Sequence, residues 1–220
     1  MKKDFFKDSK IKFPAYEPWI SNEDKKNVIK TLSQSMLTLG PQLEKFENDF
    51  SKYSHAKYAI AVSNCTAALH LSLMALGIKK DDEVIIPDLT FVADANAVLA
   101  CNAKPVIADI NKENFFLSIS NIKKNITKKT KAIIPVHIYG QVCNIEEIMD
   151  VANDNNLKVI EDCAHAVGTF HKSKHVGTLG STGCFSFYPT KNITTAEGGM
   201  VITNSKQIAE KVRQLRSHGM

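Results

Sequence analysis

Short apolar segments alternate with helical patterns through the middle of this 220-residue chain. The segments are rich in valine and isoleucine and carry few polar residues. Strands that are apolar along their whole length are typical of a parallel sheet, because helices cover both faces of such a sheet. We therefore predict an α/β fold, with parallel strands over residues 57–62, 83–87, 105–109, 131–136 and 158–162.

Helical spacing of apolar residues fills the intervals between these strands. Two more helices are predicted before the first strand, one capped by Ser21 and one beginning at Pro41. After residue 162 the pattern changes to two further strands, GCFSF and GMVIT, with at most a short helix before them. The helices that connect the first five strands are predicted over residues 65–77, 91–103, 118–126 and 145–155.

The first 20 residues differ from the rest of the chain. They contain two prolines, each beside an aromatic residue, and show little periodicity. We predict that residues 1–20 form an N-terminal arm anchored by Trp19, and that residues 21–220 form one large domain.

Composition limits the cellular setting and the partners. The net charge of +5 comes from scattered lysines without a dense basic run, which argues against a nucleic-acid partner. The five cysteines are widely spaced and form no CxxC pair, which favours a reducing compartment. The N-terminus lacks the apolar core of a signal peptide, and no apolar run is long enough to span a bilayer. We expect a cytoplasmic protein that does not bind membranes.

The segment FSFYPTKNITTAEGGMV, residues 185–201, carries the lysine with the most informative context. Lys191 follows one apolar run and precedes a glycine pair and a second apolar run, which predicts a loop between two buried strands. A lysine on such a loop can lie at the floor of a cleft and form a Schiff base with an aldehyde. The alternative is that Lys191 is an ordinary solvated lysine.

A carboxylate ends the fifth predicted strand, where ligands of open α/β sheets bind. Burying Asp162 is costly unless a cation meets it, and a protonated pyridine nitrogen is such a cation. His165 could donate a hydrogen bond to a phenolic oxygen on the same ring, or be an ordinary core histidine. His137, Asp162 and His165 lack the HxH or HExxH spacing of a metal site, so we expect no metal.

Two other strand ends supply groups for a phosphate and a flat ring. After the first strand, Thr66 lies in the first turn of a helix, whose free N–H groups suit a phosphate. A plain N-cap explains Ser63 or Asn64 equally well. After the second strand, Phe91 could stack on a planar ligand or pack in the core. With Asp162 and Lys191 added, the set describes a site for pyridoxal phosphate, and the sequence has neither a GxGxxG nor a GxxxxGK[ST] motif.

At these residues the chain resembles the DegT/DnrJ/EryC1/StrS family of sugar aminotransferases, which have the aspartate-aminotransferase type of fold. The resemblance covers nearly the whole sequence. The segments that carry it are LTLGP, SNCTAALHLSL, IPDLTFVADANAV, IIPVHIYGQ, VIEDCAHAVGT and GCFSFYPTKNITTAEGGMV.

The resemblance implies a role for each matching position. Lys191 would form the Schiff base with pyridoxal phosphate, Asp162 would pair with the pyridine nitrogen, and Phe91 would lie against the ring. The phosphate would be held by Cys65, Thr66 and Ser186. Many family members have glycine at the position of Cys65 and glutamine at that of His165. The phosphate contact at position 65 is made largely by the backbone, and histidine at position 165 keeps a hydrogen-bonding group.

The resemblance also implies an activity: transfer of an amino group, with glutamate as the expected donor, to a keto-sugar nucleotide for surface-polysaccharide synthesis, by a homodimer. Family members continue past the RSHGM segment into a second domain, so we expect this chain to be the cofactor-binding large domain alone. One alternative is a non-catalytic remnant that binds cofactor or a partner subunit. Another is a sugar dehydratase of the same family, against which Lys191 argues, because dehydratases have histidine there.

Overall fold

The computed structural model describes residues 16–219. Its central feature is a seven-stranded sheet with the order β1-β9-β8-β5-β4-β2-β3. The contacts of β2 with β3 and β4, of β4 with β5, and of β5 with β8 are parallel, whereas β9 runs antiparallel to both of its neighbours. The predicted mostly parallel α/β sheet is therefore confirmed. The strands are β1 (Tyr58–Val62), β2 (Glu83–Pro87), β3 (Lys104–Ala108), β4 (Thr130–Ile133), β5 (Lys158–Asp162), β6 (Phe170–His171), β7 (Lys174–His175), β8 (Thr182–Ser186) and β9 (Gly199–Thr203).

Helices connect the strands on both sides of the sheet. The four predicted crossover helices are present, each within a few residues of its predicted bounds. The short β6–β7 hairpin replaces a helix between β5 and β8, as the change of pattern after residue 162 indicated. The helices are α1 (Asn22–Leu32), α2 (Pro41–Ser54), α3 (Cys65–Ala75), α4 (Ala93–Ala100), α5 (Ile119–Asn125), a 3₁₀ turn (Ile138–Gly140), α6 (Ile145–Asp154) and α7 (Lys206–Arg216).

Alternate residues of the strands point to opposite layers, which divides the core. Val84 and Ile86 pack with α3, α4 and α7 on one face, whereas Ile85 packs with α5 and α6 on the other. Phe185 and Phe187 of the β8 segment contact Phe50 of α2 edge to face, with centroid distances of 5.1 and 5.7 Å. Helices thus cover both faces of the central strands, and the strand ends remain open for a site.

Burial on both faces does not extend to every strand. β3 lies at the edge of the sheet, and Ile107 in that strand is 63 % exposed. Only the central strands have the two covered faces that the apolar composition indicated. An edge strand with an exposed isoleucine is a surface that another element or chain can cover.

The N-terminal prediction is only partly testable, because residues 1–15 lie outside the described residues. Residues 16–20 have no regular secondary structure, and Trp19 is 84 % exposed. The predicted anchoring by Trp19 is therefore wrong in this single chain. Helix α1 begins after Ser21, which forms a capping box with Asp24 as its N-cap, but none of its side chains is buried.

Candidate active site

A cleft of about 570 Å³ opens at the carboxyl ends of the central strands. Its walls come from the segments that follow β1, β2, β4 and β5, and from the end of β8 with the loop after it. This is where ligands bind in open α/β sheets. All the residues predicted to form the site line this one cleft: Cys65, Thr66, Phe91, Asp162, His165, Ser186 and Lys191.

The first turn of α3 forms one wall. Asn64 is the N-cap of this helix, and its side chain accepts a hydrogen bond of 2.8 Å from the N–H of Ala67. The N–H groups of Cys65 and Thr66 have no intrahelical acceptor, because they belong to the first turn. Together with the Thr66 hydroxyl and the helix dipole, they form a site suited to an anion.

Cys65 presents its thiol to the floor of the cleft. The Sγ atom lies 4.0 Å from Oδ1 of Asp162, and the residue is buried. Burial raises the pKa of this thiol well above its usual range, and the charge of Asp162 raises it further. Cys65 therefore faces Asp162 as a neutral thiol, and only its backbone N–H is available to an anion at the helix terminus.

Gly199 allows β9 to approach this helix terminus closely. A Cβ atom at this position would lie 2.4 Å from the carbonyl carbon of Asn64 and 2.8 Å from the backbone nitrogen of Cys65. Both are backbone atoms, so a side chain could be accommodated only if the helix terminus or the strand moved. The shape of the anion site therefore depends on the absence of a side chain at position 199.

We expect Gly199→Ala to destabilise the fold by about 1–3 kcal/mol, the usual cost of overpacking, and to weaken anion binding at the first turn of α3. Denaturant unfolding and titration with pyridoxal phosphate measure the two effects. Gly198→Ala is the matched control, because its Cβ would lie 2.3 Å from Oγ1 of Thr195, a side-chain atom that has to move aside, and not against the backbone of the helix terminus. Equal losses in both variants would contradict this account.

Asp162 lies at the floor of the cleft, at the end of β5. It is 5 % exposed, and its Oδ1 atom accepts a 2.8 Å hydrogen bond from the N–H of Ala164. Burial raises the pKa of Asp162, whereas the Ala164 N–H and the positive charge of Lys191 oppose this rise. Its carboxylate is thus held in a fixed orientation, in a place where water is largely excluded.

Lys191 lies on the predicted loop between β8 and β9. The loop is closed by backbone hydrogen bonds from Phe187 N–H to the Gly198 carbonyl (2.9 Å) and from Thr195 N–H to the Phe187 carbonyl (3.0 Å). The lysine N–H donates to the carbonyl of Tyr188 at 2.9 Å. Lys191 is partly buried and lines the cleft. Ser186, at the end of β8, is 6 % exposed and lines the same wall.

His165 is oriented by Tyr139. The two rings stack with centroids 5.4 Å apart and planes 5° from parallel, and the Tyr139 N–H donates to Nδ1 of His165 at 3.3 Å. Burial lowers the pKa of His165, and the charge of Lys191 lowers it further. Because Nδ1 accepts a hydrogen bond, the neutral ring carries its proton on Nε2, which is free to donate.

Phe91 does not pack in the core. Its side chain is 73 % exposed and lies at the edge of the cleft. The core-packing interpretation of Phe91 is therefore wrong. A large aromatic surface at the edge of this cleft is available to stack on a flat ligand.

Glu161 and His137 form a buried pair that the sequence analysis missed. Glu161 accepts hydrogen bonds from the N–H groups of Gly177, Leu179 and Gly180 at 2.6–2.8 Å, and lies 2.9 Å from Nε2 of His137. The Nδ1 atom of His137 accepts from the Cys143 N–H at 3.2 Å. The Sγ atom of Cys163 lies within 4.8 Å of the ligand atoms of Glu161 and His137, a spacing that a metal ion could bridge. The hydrogen bonds already occupy the acceptor atoms of Glu161 and His137, however. The cluster therefore connects strand β5 to two loops. The two adjacent acidic residues of VIED were the only feature of the sequence that could have indicated this pair.

Comparisons with known proteins agree with this geometry. A sequence model of the DegT/DnrJ/EryC1/StrS aminotransferase family matches residues 18–220. Over 207 residues the chain is 50 % identical to the uncharacterized protein MJ1066 of Methanocaldococcus jannaschii, covering 94 % of this chain and 54 % of that protein. It is 44 % identical to the GDP-perosamine synthase of Escherichia coli O157:H7, over 94 % of this chain and 57 % of that protein.

A solved structure, the PLP form of Spr1654 from Streptococcus pneumoniae, superposes with a TM-score of 0.91 at 29 % identity. It is matched over 94 % of this chain and 58 % of that one. The chain thus spans about half the length of the curated relatives it matches.

Proposed function

Because the chain belongs to the DegT/DnrJ/EryC1/StrS aminotransferase family, we propose that it takes part in transferring an amino group to a keto-sugar nucleotide, with pyridoxal phosphate as cofactor. The observation that carries the proposal is one cleft lined by a lysine, a buried aspartate, an exposed aromatic ring and a helix N-terminus. Glutamate is the proposed donor.

The residues present fit this cofactor. The phosphate would bind the N–H groups of Cys65 and Thr66, where Gly199 leaves room, with the hydroxyls of Thr66 and Ser186 as further donors. Phe91 would cover one face of the ring. When bound, pyridoxal phosphate supplies an aldehyde that accepts an amine and a ring that withdraws electrons from the bond to be broken.

Each polar residue of the cleft would have a distinct task. Lys191 Nζ would hold the aldehyde, take the proton from the α-carbon of the donor, and return it. The carboxylate of Asp162 would keep a proton on the ring nitrogen, because its orientation is fixed by Ala164 and its charge is poorly screened. His165 Nε2 would donate to the phenolic oxygen.

We also propose where and in what form the protein acts. Its five cysteines are all free and buried, which supports a reducing compartment such as the cytoplasm. None of the helices between residues 16 and 219 combines the length and hydropathy needed to cross a bilayer. Exposed Phe91 and Tyr139 at the cleft support association of two copies, whose contact would cover these rings.

Amino transfer can be tested directly. Purified protein loaded with pyridoxal phosphate is incubated with glutamate and a keto-sugar nucleotide, and products are separated by mass. Because a GDP-perosamine synthase is among the relatives, a GDP-linked keto-sugar is the first acceptor to test. We expect an amino-sugar nucleotide and 2-oxoglutarate in equal amounts. Cofactor retention without either product would contradict the activity and favour a binding role, and loss of water from the sugar would indicate a dehydratase.

A further inference from the structure

Asp94 is a second buried carboxyl group beside the cleft, whose lining includes its chain neighbours Thr90 and Ala93. It lies in the first turn of α4, the helix that follows β2, and its side chain is completely buried. Its carboxyl group lies within hydrogen-bonding reach of that of Asp162, which ends β5. Two acidic side chains from different elements are thus buried next to each other, and one of them, Asp162, lines the cleft.

The hydrogen bonds around Asp94 are incomplete for an anion. Its Oδ2 atom accepts a hydrogen bond from the hydroxyl of Thr90. No N–H or O–H group among residues 16–219 donates to its Oδ1 atom. The remaining neighbour, Asp162, is itself a carboxylate and cannot donate when ionised. A buried oxygen without a donor is destabilising, and more so when it is charged. A proton between the two carboxyl groups removes this destabilisation.

The surrounding charges differ for the two aspartates. Asp162 is stabilised as an anion by the Ala164 N–H and by the charge of Lys191. Asp94 is near the neutral thiols of Cys65 and Cys184 and the charge of Asp162, and no cation within residues 16–219 offsets its burial. Burial raises the pKa of Asp94 well above its usual range, and repulsion by Asp162 raises it further. When two adjacent carboxyl groups share one proton, it resides on the one with the poorer environment for charge.

We propose that Asp94 carries a proton at neutral pH and donates it from Oδ1 to the carboxylate of Asp162, which makes Asp94 a positioning residue for Asp162. The Asp162 carboxylate is then held from two sides, by Asp94 and by the N–H of Ala164. The pair carries a single negative charge, directed at the cleft. The protonation state of Asp94 is independent of any cofactor, whereas its positioning role rests on the proposed function.

Infrared spectroscopy of the cofactor-free protein tests the protonation state. A protonated carboxylic acid has a C=O stretch separate from the bands of carboxylates. At pH 7 we expect one such band, which Asp94→Asn removes and Asp162→Asn retains, because burial without a cation keeps Asp94 protonated. Asp88→Asn is the matched control, since Asp88 is an exposed residue in the same β2–α4 connection, and it should change nothing. Absence of the band, its survival in Asp94→Asn, or its loss in Asp162→Asn would each overturn the assignment.

The pH dependence of stability gives a second measurement on the same proteins. The unfolded chain releases the Asp94 proton above pH of about 4, whereas the folded chain retains it up to its raised pKa. The unfolded state therefore binds fewer protons in this window, and stability falls as pH rises through it. Asparagine does not titrate, so the Tm of Asp94→Asn should rise relative to that of the unchanged protein as the pH is raised above about 4. A constant Tm difference would contradict a raised pKa.

The positioning role is tested by comparing two replacements. Asparagine resembles a protonated aspartate, because it can accept from Thr90 and donate to Asp162, whereas leucine has a similar volume and no donor. We expect Asp94→Asn to bind pyridoxal phosphate like the unchanged protein and Asp94→Leu to bind it about tenfold or more weakly, the usual effect of losing a hydrogen bond to a charged group. Leucine binding as tightly as asparagine would exclude the positioning role. Absence of cofactor binding by every protein, the unchanged one included, would instead contradict the proposed function.

Discussion

Lys191→Ala should abolish covalent attachment of pyridoxal phosphate and lower amino transfer by about 100- to 10,000-fold, the range over which a general base contributes. Alanine offers neither an amine to hold the aldehyde nor a group to carry the proton of the donor. The absorbance of the bound cofactor and the rate of amino-sugar formation measure the two losses.

Two further variants separate the amine of Lys191 from its charge. Lys191→Arg keeps a cation on the same loop but has no neutral amine at accessible pH, so it should fail like the alanine variant. Lys80→Ala removes an exposed lysine in the turn after α3 and should have no effect. If Lys191→Arg kept near-normal turnover, the lysine would act only through its charge, and the proposed chemistry would be wrong.

Asp162→Asn should retain part of the cofactor and lower amino transfer roughly 100-fold or more. A carboxylate stabilises a protonated ring nitrogen and an amide does not, and the low exposure of Asp162 leaves little water to screen the difference. The rate of amino transfer at saturating cofactor is the measurement, because it separates the catalytic loss from weaker binding.

Asp88→Asn serves again as the control for removing one carboxylate, because Asp88 is exposed and does not line the cleft. Its rate should equal that of the unchanged protein. Near-normal turnover by Asp162→Asn, in a preparation where Lys191→Ala is inactive, would refute the role proposed for Asp162.

The positions of the cleft residues were predictable because parallel strands end at one edge of a sheet. Apolar runs located the strands, and the polar residues that follow them, such as Thr66 and Asp162, were then expected to meet. Lys191 required the additional pattern of a loop between two apolar segments. Only the order and length of the helices and strands are needed to place these residues, and hydrophobic periodicity predicts both well.

Exposure of individual side chains was less predictable. Trp19 and Phe91 are large apolar residues, for which burial is the usual expectation, yet both are mostly exposed. Whether such a residue packs depends on which other elements of the fold cover it, and within the described residues most of both side chains stays uncovered. The residues next to Trp19 and Phe91 in sequence do not indicate how more distant elements pack.

The role proposed for Asp94 could not be predicted from the sequence, for a different reason. Its sequence context, FVADANAV, is that of a mostly apolar helix with an acidic residue in the first turn, where aspartate is favourable on a surface. Its interest arises only from the fold, which places the first turn of α4 against the end of β5 and buries two carboxyl groups together. The same applies to Glu161, whose partners Gly177 and Gly180 are distant in sequence.

The central claim, that Lys191 holds the cofactor, is tested most directly by borohydride reduction of the protein loaded with pyridoxal phosphate. Reduction fixes the cofactor to the amine that holds it, and proteolysis with mass spectrometry then identifies that amine. We predict a single pyridoxyl group, on the peptide that contains Lys191. Its appearance on another lysine, or an equal distribution over exposed lysines, would contradict the account.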